Sequence, residues 1–171
     1  MANRAVILSG SLGSGHDVVS EVLALSLAGL GWESRTLNCM ALLGPRAGPA
    51  GDWVYRRLMG RPGVYDGLHF AHLRGGTAVA TAMDRAATPR LLTALRRELR
   101  DRPADLVISV FAAGVPAAAG LGRWLPRVST VVVCPDALPH ATWVREGIGL
   151  FVVTSAAAEA GVRRYLPRAR T

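Results

Sequence analysis

A chain of 171 residues is most simply one domain, and with half of those residues apolar it has the material for a substantial core, which excludes intrinsic disorder. No apolar run reaches the roughly 18 to 20 residues of a membrane-spanning helix, and the first residues lack the organisation of a signal peptide, so the expected compartment is the cytosol. The net charge of +8 comes from 20 cationic residues that are all arginine, a bias that, with the abundant Ala, Gly and Pro, matches GC-rich coding and makes the charge a poor guide to a partner by its sum alone.

In chain order, Arg4 to Leu8 (RAVIL) is a continuous apolar run of strand length and opens the chain's first element. The turn SGSLGSGHD follows, and then an amphipathic helix over Asp17 to Leu30. In that helix Val18, Val22 and Leu25, with Val19, Leu23, Leu27 and Leu30, fall at three- and four-residue spacing and predict one wide apolar face. A weaker strand is predicted at Glu33 to Leu37. From Asn38 to Thr88 the rhythm breaks into a Gly/Pro-rich loop (LLGPRAGPAG), an aromatic and basic segment (WVYRRLMGRPGVYDGLHFAHL) and a small-residue helix (TAVATAMDRAA). An insertion of that size is more often functional than idle. The alternation then resumes: a helix over Pro89 to Arg100, strands at Asp105 to Val110, Thr130 to Val133 and Leu150 to Thr154, and a helix over Ser155 to Tyr165. Short Val/Ile/Leu runs alternating with helices predict an α/β, doubly wound, mostly parallel sheet with helices on both faces.

The arginines cluster at YRRLMGR (55 to 61), LRRELRDR (95 to 102) and VRRYLPRAR (162 to 170), interleaved with Leu, Trp, Tyr and Val. Anionic lipid headgroups suit such a mixture, because electrostatic attraction and apolar insertion add. A merely solvated arginine face is the plainer reading. Nucleic acid is disfavoured, since no recognition helix, zinc finger or RNA-binding sheet pattern accompanies the charge. Cys39 and Cys134 are too few and too distant for a disulfide framework or a zinc site and read as small buried hydrophobes. His69 and His72 stand three apart with no carboxylate or cysteine to complete a metal site, so no metal is expected.

The glycine turn is neither G-x-G-x-x-G nor a Walker loop: Gly10, Gly13 and Gly15 give G-x-x-G-x-G. Its physical content is that glycines permit close backbone approach and that a helix N-terminus offers free N–H groups to an anion. His16 sits where the helix N-terminus disfavours an imidazolium, so a neutral ring able to accept a proton is expected; the bland alternative is a first-turn histidine in solvent. After TVVV comes CPDALPHATWVREGIGLFVVTS, which places Asp136, His140 and Trp143 beyond a strand C-terminus. In a doubly wound sheet that loop shares a rim with the His16 turn, and so does FAAGVP (111 to 116), which would contribute backbone rather than chemistry. Asp136 could orient an imidazole, or be only a turn residue between Pro135 and Pro139. His140 could equally be a loop histidine, and Trp143 core filler.

VILSGSLGSGHDVVSEVLALSL, PADLVISVFAAGVP and TVVVCPDALPHATWVREGIGLFVVTSAAAE, in that order, resemble the N-terminal domain of the monogalactosyldiacylglycerol synthase family. These are GT-B glycosyltransferases related to the lipid II-forming transferase of peptidoglycan synthesis. The most specific parts are the glycine-glycine-histidine turn and the Asp-x-x-x-His-x-x-Trp segment. The family's turn is usually G-G-G-H, whereas this one reads Gly13-Ser14-Gly15-His16.

The resemblance implies residues 1–171 as a single Rossmann-like acceptor-binding domain with a helical and loop membrane-facing insertion at about 38–88. It implies a UDP-sugar donor and a membrane-lipid or lipid-linked acceptor, no further cofactor, and a peripheral position at the inner face of the membrane. His16 would deprotonate the acceptor hydroxyl, with Gly13, Ser14, Gly15, Asp136, His140 and Trp143 lining the acceptor side of the cleft. Trp53, Tyr55, Arg56, Arg57, Leu58 and Arg61 would face the lipid. The C-terminal donor-binding domain is absent from the 171 residues, so the isolated chain is expected to be inactive. It would be a fragment, one half of a split enzyme as in the two-subunit GlcNAc transferase of eukaryotic lipid-linked glycan synthesis, or a remnant. The alternative from another class is a non-catalytic membrane-surface module of the same fold that recruits a partner. A self-contained flavodoxin-like or nucleotide-binding domain is a third, without a fingerprint in the sequence.

Overall fold

A computed structural model describes residues 2–10, 14–46, 48–50, 53, 57 and 78–171. Five strands form one all-parallel sheet: β1 (Arg4–Ser9), β2 (Glu33–Asn38), β3 (Leu106–Ser109), β4 (Ser129–Cys134) and β5 (Leu150–Val153), in the order β2-β1-β3-β4-β5. The helices described over their full length are α1 (Ser14–Gly29), α2 (Cys39–Leu42), α3 (Ala78–Asp101), α4 (Val115–Leu121) and α5 (Ala156–Tyr165). This is the Rossmann-like α/β architecture that the alternating pattern predicts, and its strand order reverses between β1 and β3.

Register decides which helix covers which face. Ala5 and Ile7 of β1 align with Leu106 and Ile108 of β3, Ile108 aligns with Val131 of β4, and Val131 and Val133 align with Leu150 and Val152 of β5, all on one face. That face packs under α1 through Val19, Leu23, Ala24 and Leu27. The alternate residues Val6, Leu8 and Val107 pack on the other face against Leu91, Leu95 and Leu99 of α3 and Ala117, Ala118 and Leu121 of α4. Val132 and Phe151, also on that face, meet Val162 of α5. Ala5 to Leu8 are all essentially inaccessible, as a central parallel strand covered on both faces must be.

The ends of α1 follow from local chemistry. Asp17 in the first turn complements the helix dipole. At the other end the Gly31 N–H donates to the Ala28 carbonyl and the Trp32 N–H to the Leu27 carbonyl, both at 3.0 Å, with Gly31 at φ +77°. This is a Schellman cap, and it needs a residue free to adopt positive φ. Trp32 then folds back onto the same apolar cluster as Leu27. At α2 the Asn38 side chain accepts from the Met40 and Ala41 N–H groups, and at α5 Ser155 accepts from the Ala158 N–H, so the residue expected to begin that helix is its N-cap.

Three expectations are corrected. The sequence predicts separate helices on either side of Pro89, but α3 runs unbroken for 24 residues with Pro89 inside it. Proline removes one backbone donor at a cost of about 3 kcal/mol, and the buried stripe Leu91, Leu95 and Leu99 offsets it. The wide apolar face of α1 is also only half used: Val19, Leu23 and Leu27 pack on the sheet, while Val18, Val22, Leu25 and Leu30 are exposed. Val115 and Pro116, expected at the end of a loop over 111 to 116, instead open α4, whose first turn accommodates Pro116 because an N-terminal helical N–H has no partner to lose. The buried cysteines are as expected, and burial pushes each thiol up to about 12.

Candidate functional site

Parallel strands end on a common rim, and a reversal of strand order opens a crevice there. Here the reversal lies between β1, which leads to His16, and β3, which leads to Val110 and Phe111. The His16 Nδ1 donates to the Val110 carbonyl at 2.7 Å, joining the two sides of the reversal. Since a carbonyl only accepts, the neutral ring carries its hydrogen on Nδ1 and its lone pair on Nε2.

Aromatic contacts complete the setting of that ring. Phe111 meets it edge to face with centroids 5.2 Å apart, and Trp143 lies 6.4 Å away. Ser20, one turn along α1, donates to the His16 carbonyl at 2.7 Å. Gly10 at the end of β1 is required by this packing: a Cβ there would meet the Phe111 ring at 2.6 Å. By contrast a Cβ on Gly15 would meet nothing within 4 Å among the described residues.

The β4–β5 loop brings the second group. A single helical turn over Ala141–Trp143 follows His140. Trp143 is buried among Val115, Val132, Cys134, Val144, Phe151 and Val162, and its indole N–H donates to Asp136 Oδ2 at 2.7 Å. The same carboxylate oxygen lies 3.6 Å from His140 Nε2. The Thr142 hydroxyl pairs with His140 Nδ1. A carboxylate facing Nε2 favours the proton there, which leaves Nδ1 to accept from the hydroxyl. His140 is buried, with its ring 6.1 Å from Trp143, so the Trp143 ring is near both imidazoles.

The sequence-predicted residues therefore fall into four groups. His16, Asp136, His140 and Trp143 come together on one rim, linked through Trp143. Asp136, the carboxylate expected to orient an imidazole, lies beside His140 and holds the Trp143 indole, while His16 is oriented by a backbone carbonyl. Ser14 and Gly15 begin α1. Trp53 and Arg57 are both exposed and helical, with the guanidinium 5.8 Å from the indole centroid. Gly13, Tyr55, Arg56, Leu58, Arg61, His69 and His72 lie outside the described residues. From sequence Gly10 entered only as the first glycine of the turn, and Val110 and Phe111 only as a strand end and a loop start, with no contact to His16 assigned to any of them. The available signal was only that FAAGVP follows a strand aimed at the rim.

Among the described residues no cluster of three or more His, Cys, Asp or Glu side chains could hold a metal ion, and no helix is long and apolar enough to cross a membrane. Fold and rim define the class: an α/β protein with a Rossmann-like parallel sheet and a histidine at the reversal of strand order. No protein-family model, curated protein or solved structure matches the chain.

Proposed function

We propose that the chain is the acceptor-binding half of a UDP-sugar-dependent glycosyltransferase acting on a membrane lipid or lipid-linked acceptor. One observation carries the reading: at the strand-order reversal, the His16 Nδ1 is committed to the Val110 carbonyl, so a neutral ring offers Nε2 as a base. An acceptor hydroxyl hydrogen-bonded to Nε2 would pass its proton to the ring while its oxygen attacks the anomeric carbon of the donor and the bond to UDP breaks. Gly15 in the first turn of α1 is exposed, and a helix N-terminus suits the approach of the acceptor and the departing diphosphate. A second Rossmann-like domain, on this polypeptide or another, would bind the UDP-sugar. In this reading Asp136, His140 and Trp143 stiffen the acceptor side of the crevice.

The test uses the chain together with the donor-binding polypeptide from the same cell, UDP-glucose, UDP-galactose or UDP-N-acetylglucosamine, and a total lipid extract. UDP release is expected from the combination and not from the 171 residues alone. His16→Ala should lower the rate about 10²- to 10⁴-fold, the usual worth of a general base. No release with any donor in any combination overturns the proposal.

A non-catalytic membrane-surface module is the second reading, favoured by exposed Trp53 with Arg57 beside its ring. Under it, sedimentation with anionic vesicles falls as salt rises, no UDP is released, and His16→Ala leaves vesicle binding unchanged.

A further inference from the structure

Among the described residues, one sheet face is only partly covered. On the side of α1, the floor formed by Val131 and Val133 of β4 and Leu150 and Val152 of β5 carries no charged side chain, and Val152 is 44% exposed in mid-strand. Among the described residues, α1 is the helix over this face, and it lies toward β1 and β2. A right-handed β1-α1-β2 crossover turns the Val19, Val22 and Ser26 side of α1 toward the uncovered strands. Val19 packs in the same cluster as Val131 and Val133. An apolar trough one helix wide therefore runs beside α1. The outward ridge of α1 is apolar as well: Val18, Val22 and Leu25 are 57%, 56% and 69% exposed. Its acidic residues, Asp17 and Glu21, fall on the opposite flank, toward β2.

We propose that this face binds a second copy of the chain, the α1 of each protomer lying in the trough of the other. Across a two-fold axis the two α1 helices then lie side by side between the two sheets. The ridge of each covers the β4–β5 floor of its partner. The surface is self-complementary, because ridge and trough are adjacent and each is about one helix wide, so the contact closes at two copies. A 16-residue helix is about 24 Å long. Two helix widths of roughly 10 Å give a footprint of about 480 Å² per copy, near 1,000 Å² in all, which is the lower limit of specific interfaces. A dimer dissociating in the micromolar range is expected. Each protomer carries +8, so an apolar contact between them should strengthen with salt, whereas binding of an anionic partner should weaken.

Sedimentation velocity on the full chain from 1 to 200 µM, in 50 and 500 mM NaCl, tests this. The expected result is a monomer–dimer equilibrium that is tighter at high salt. Val22→Glu on the ridge and Val152→Glu on the floor should each weaken it at least about 30-fold, since each would bury an unpaired charge. Circular dichroism would report whether the variants are folded, and Val22→Ser with Val152→Thr provides a milder pair expected to weaken the dimer in the same direction. A monomer at 200 µM in both salts overturns the proposal. So does a dimer that survives folded ridge or floor variants, or association found only with a different polypeptide.

Discussion

The His16 Nδ1 lies 2.7 Å from the carbonyl oxygen of Val110, 94 residues away in sequence. That hydrogen bond closes the rim at the strand-order reversal and fixes which nitrogen of the ring can take a proton. In ¹⁵N spectra at a pH where the ring is neutral, His16 should show the tautomer protonated at Nδ1, with Nε2 bearing the lone pair. The opposite tautomer would remove the basis for Nε2 as the acceptor of a substrate proton.

Gly10→Ala should act on that ring from below. Its Cβ would meet three Phe111 ring atoms at 2.6 to 2.7 Å, so the ring must move, and Phe111 is the edge-to-face partner of His16. Overpacking of this kind costs about 1–3 kcal/mol. Urea denaturation should show that loss, and the His16 ring resonances should shift with it. Unchanged stability and unchanged His16 shifts would mean that Phe111 does not hold the imidazole.

Trp143→Phe keeps most of the buried ring but removes the indole donor to Asp136. A partly buried carboxylate then loses its 2.7 Å hydrogen bond, and a loss of about 1–3 kcal/mol is expected in the denaturation midpoint. Adding Asp136→Asn should recover part of it, because an uncharged amide tolerates the missing donor better than a carboxylate does. Equal losses in the single and double variants would disprove the coupling.

Both cysteines should be inert in the native chain. Burial pushes the thiols of Cys39 and Cys134 from 9.0 up to about 12, so each folded thiol keeps its proton where the unfolded one would lose it. A folded pKa raised in this way contributes stability fully below pH 9, and the contribution is lost as pH rises from 9 toward 12. The limiting slope is about 1.4 kcal/mol per pH unit for each thiol. Urea midpoints should fall above pH 9, and Cys39→Ala should flatten that fall. Thiol titration with a chromogenic disulfide should find both groups only after denaturant is added.

Much of the fold was legible because a parallel sheet imposes its pattern on the sequence. RAVIL, DLVISV, TVVV and LFVVT are runs that only strands covered by helices can hide, and all four lie in or directly beside the observed strands. The rim was legible for the same reason: a parallel sheet sends every strand toward one edge, so His16 and the Asp136 to Trp143 loop had to share it. The continuous α3 was not legible, since Pro89 marks a break by local rules and only the burial of Leu91, Leu95 and Leu99 overrides it.

The sequence by itself determined which segments are strands and that a histidine follows the glycine turn, because these depend on local periodicity and residue order, whereas α1 begins at Ser14, three residues before the expected Asp17. Tertiary structure alone decided the partners. The periodicity of α1 predicts seven apolar positions on one face, but a sheet touches only one side of a helix, so Val19, Leu23 and Leu27 are packed while Val18, Val22 and Leu25 stay outside. Asp136 was near enough in sequence to be assigned to any imidazole on the rim. The packing of Trp143 against Val132 and Phe151 brings its indole N–H to that carboxylate, and the adjacency of β1 and β3 gives His16 a carbonyl instead. Contacts across 94 residues depend on strand order, which local residue patterns do not encode.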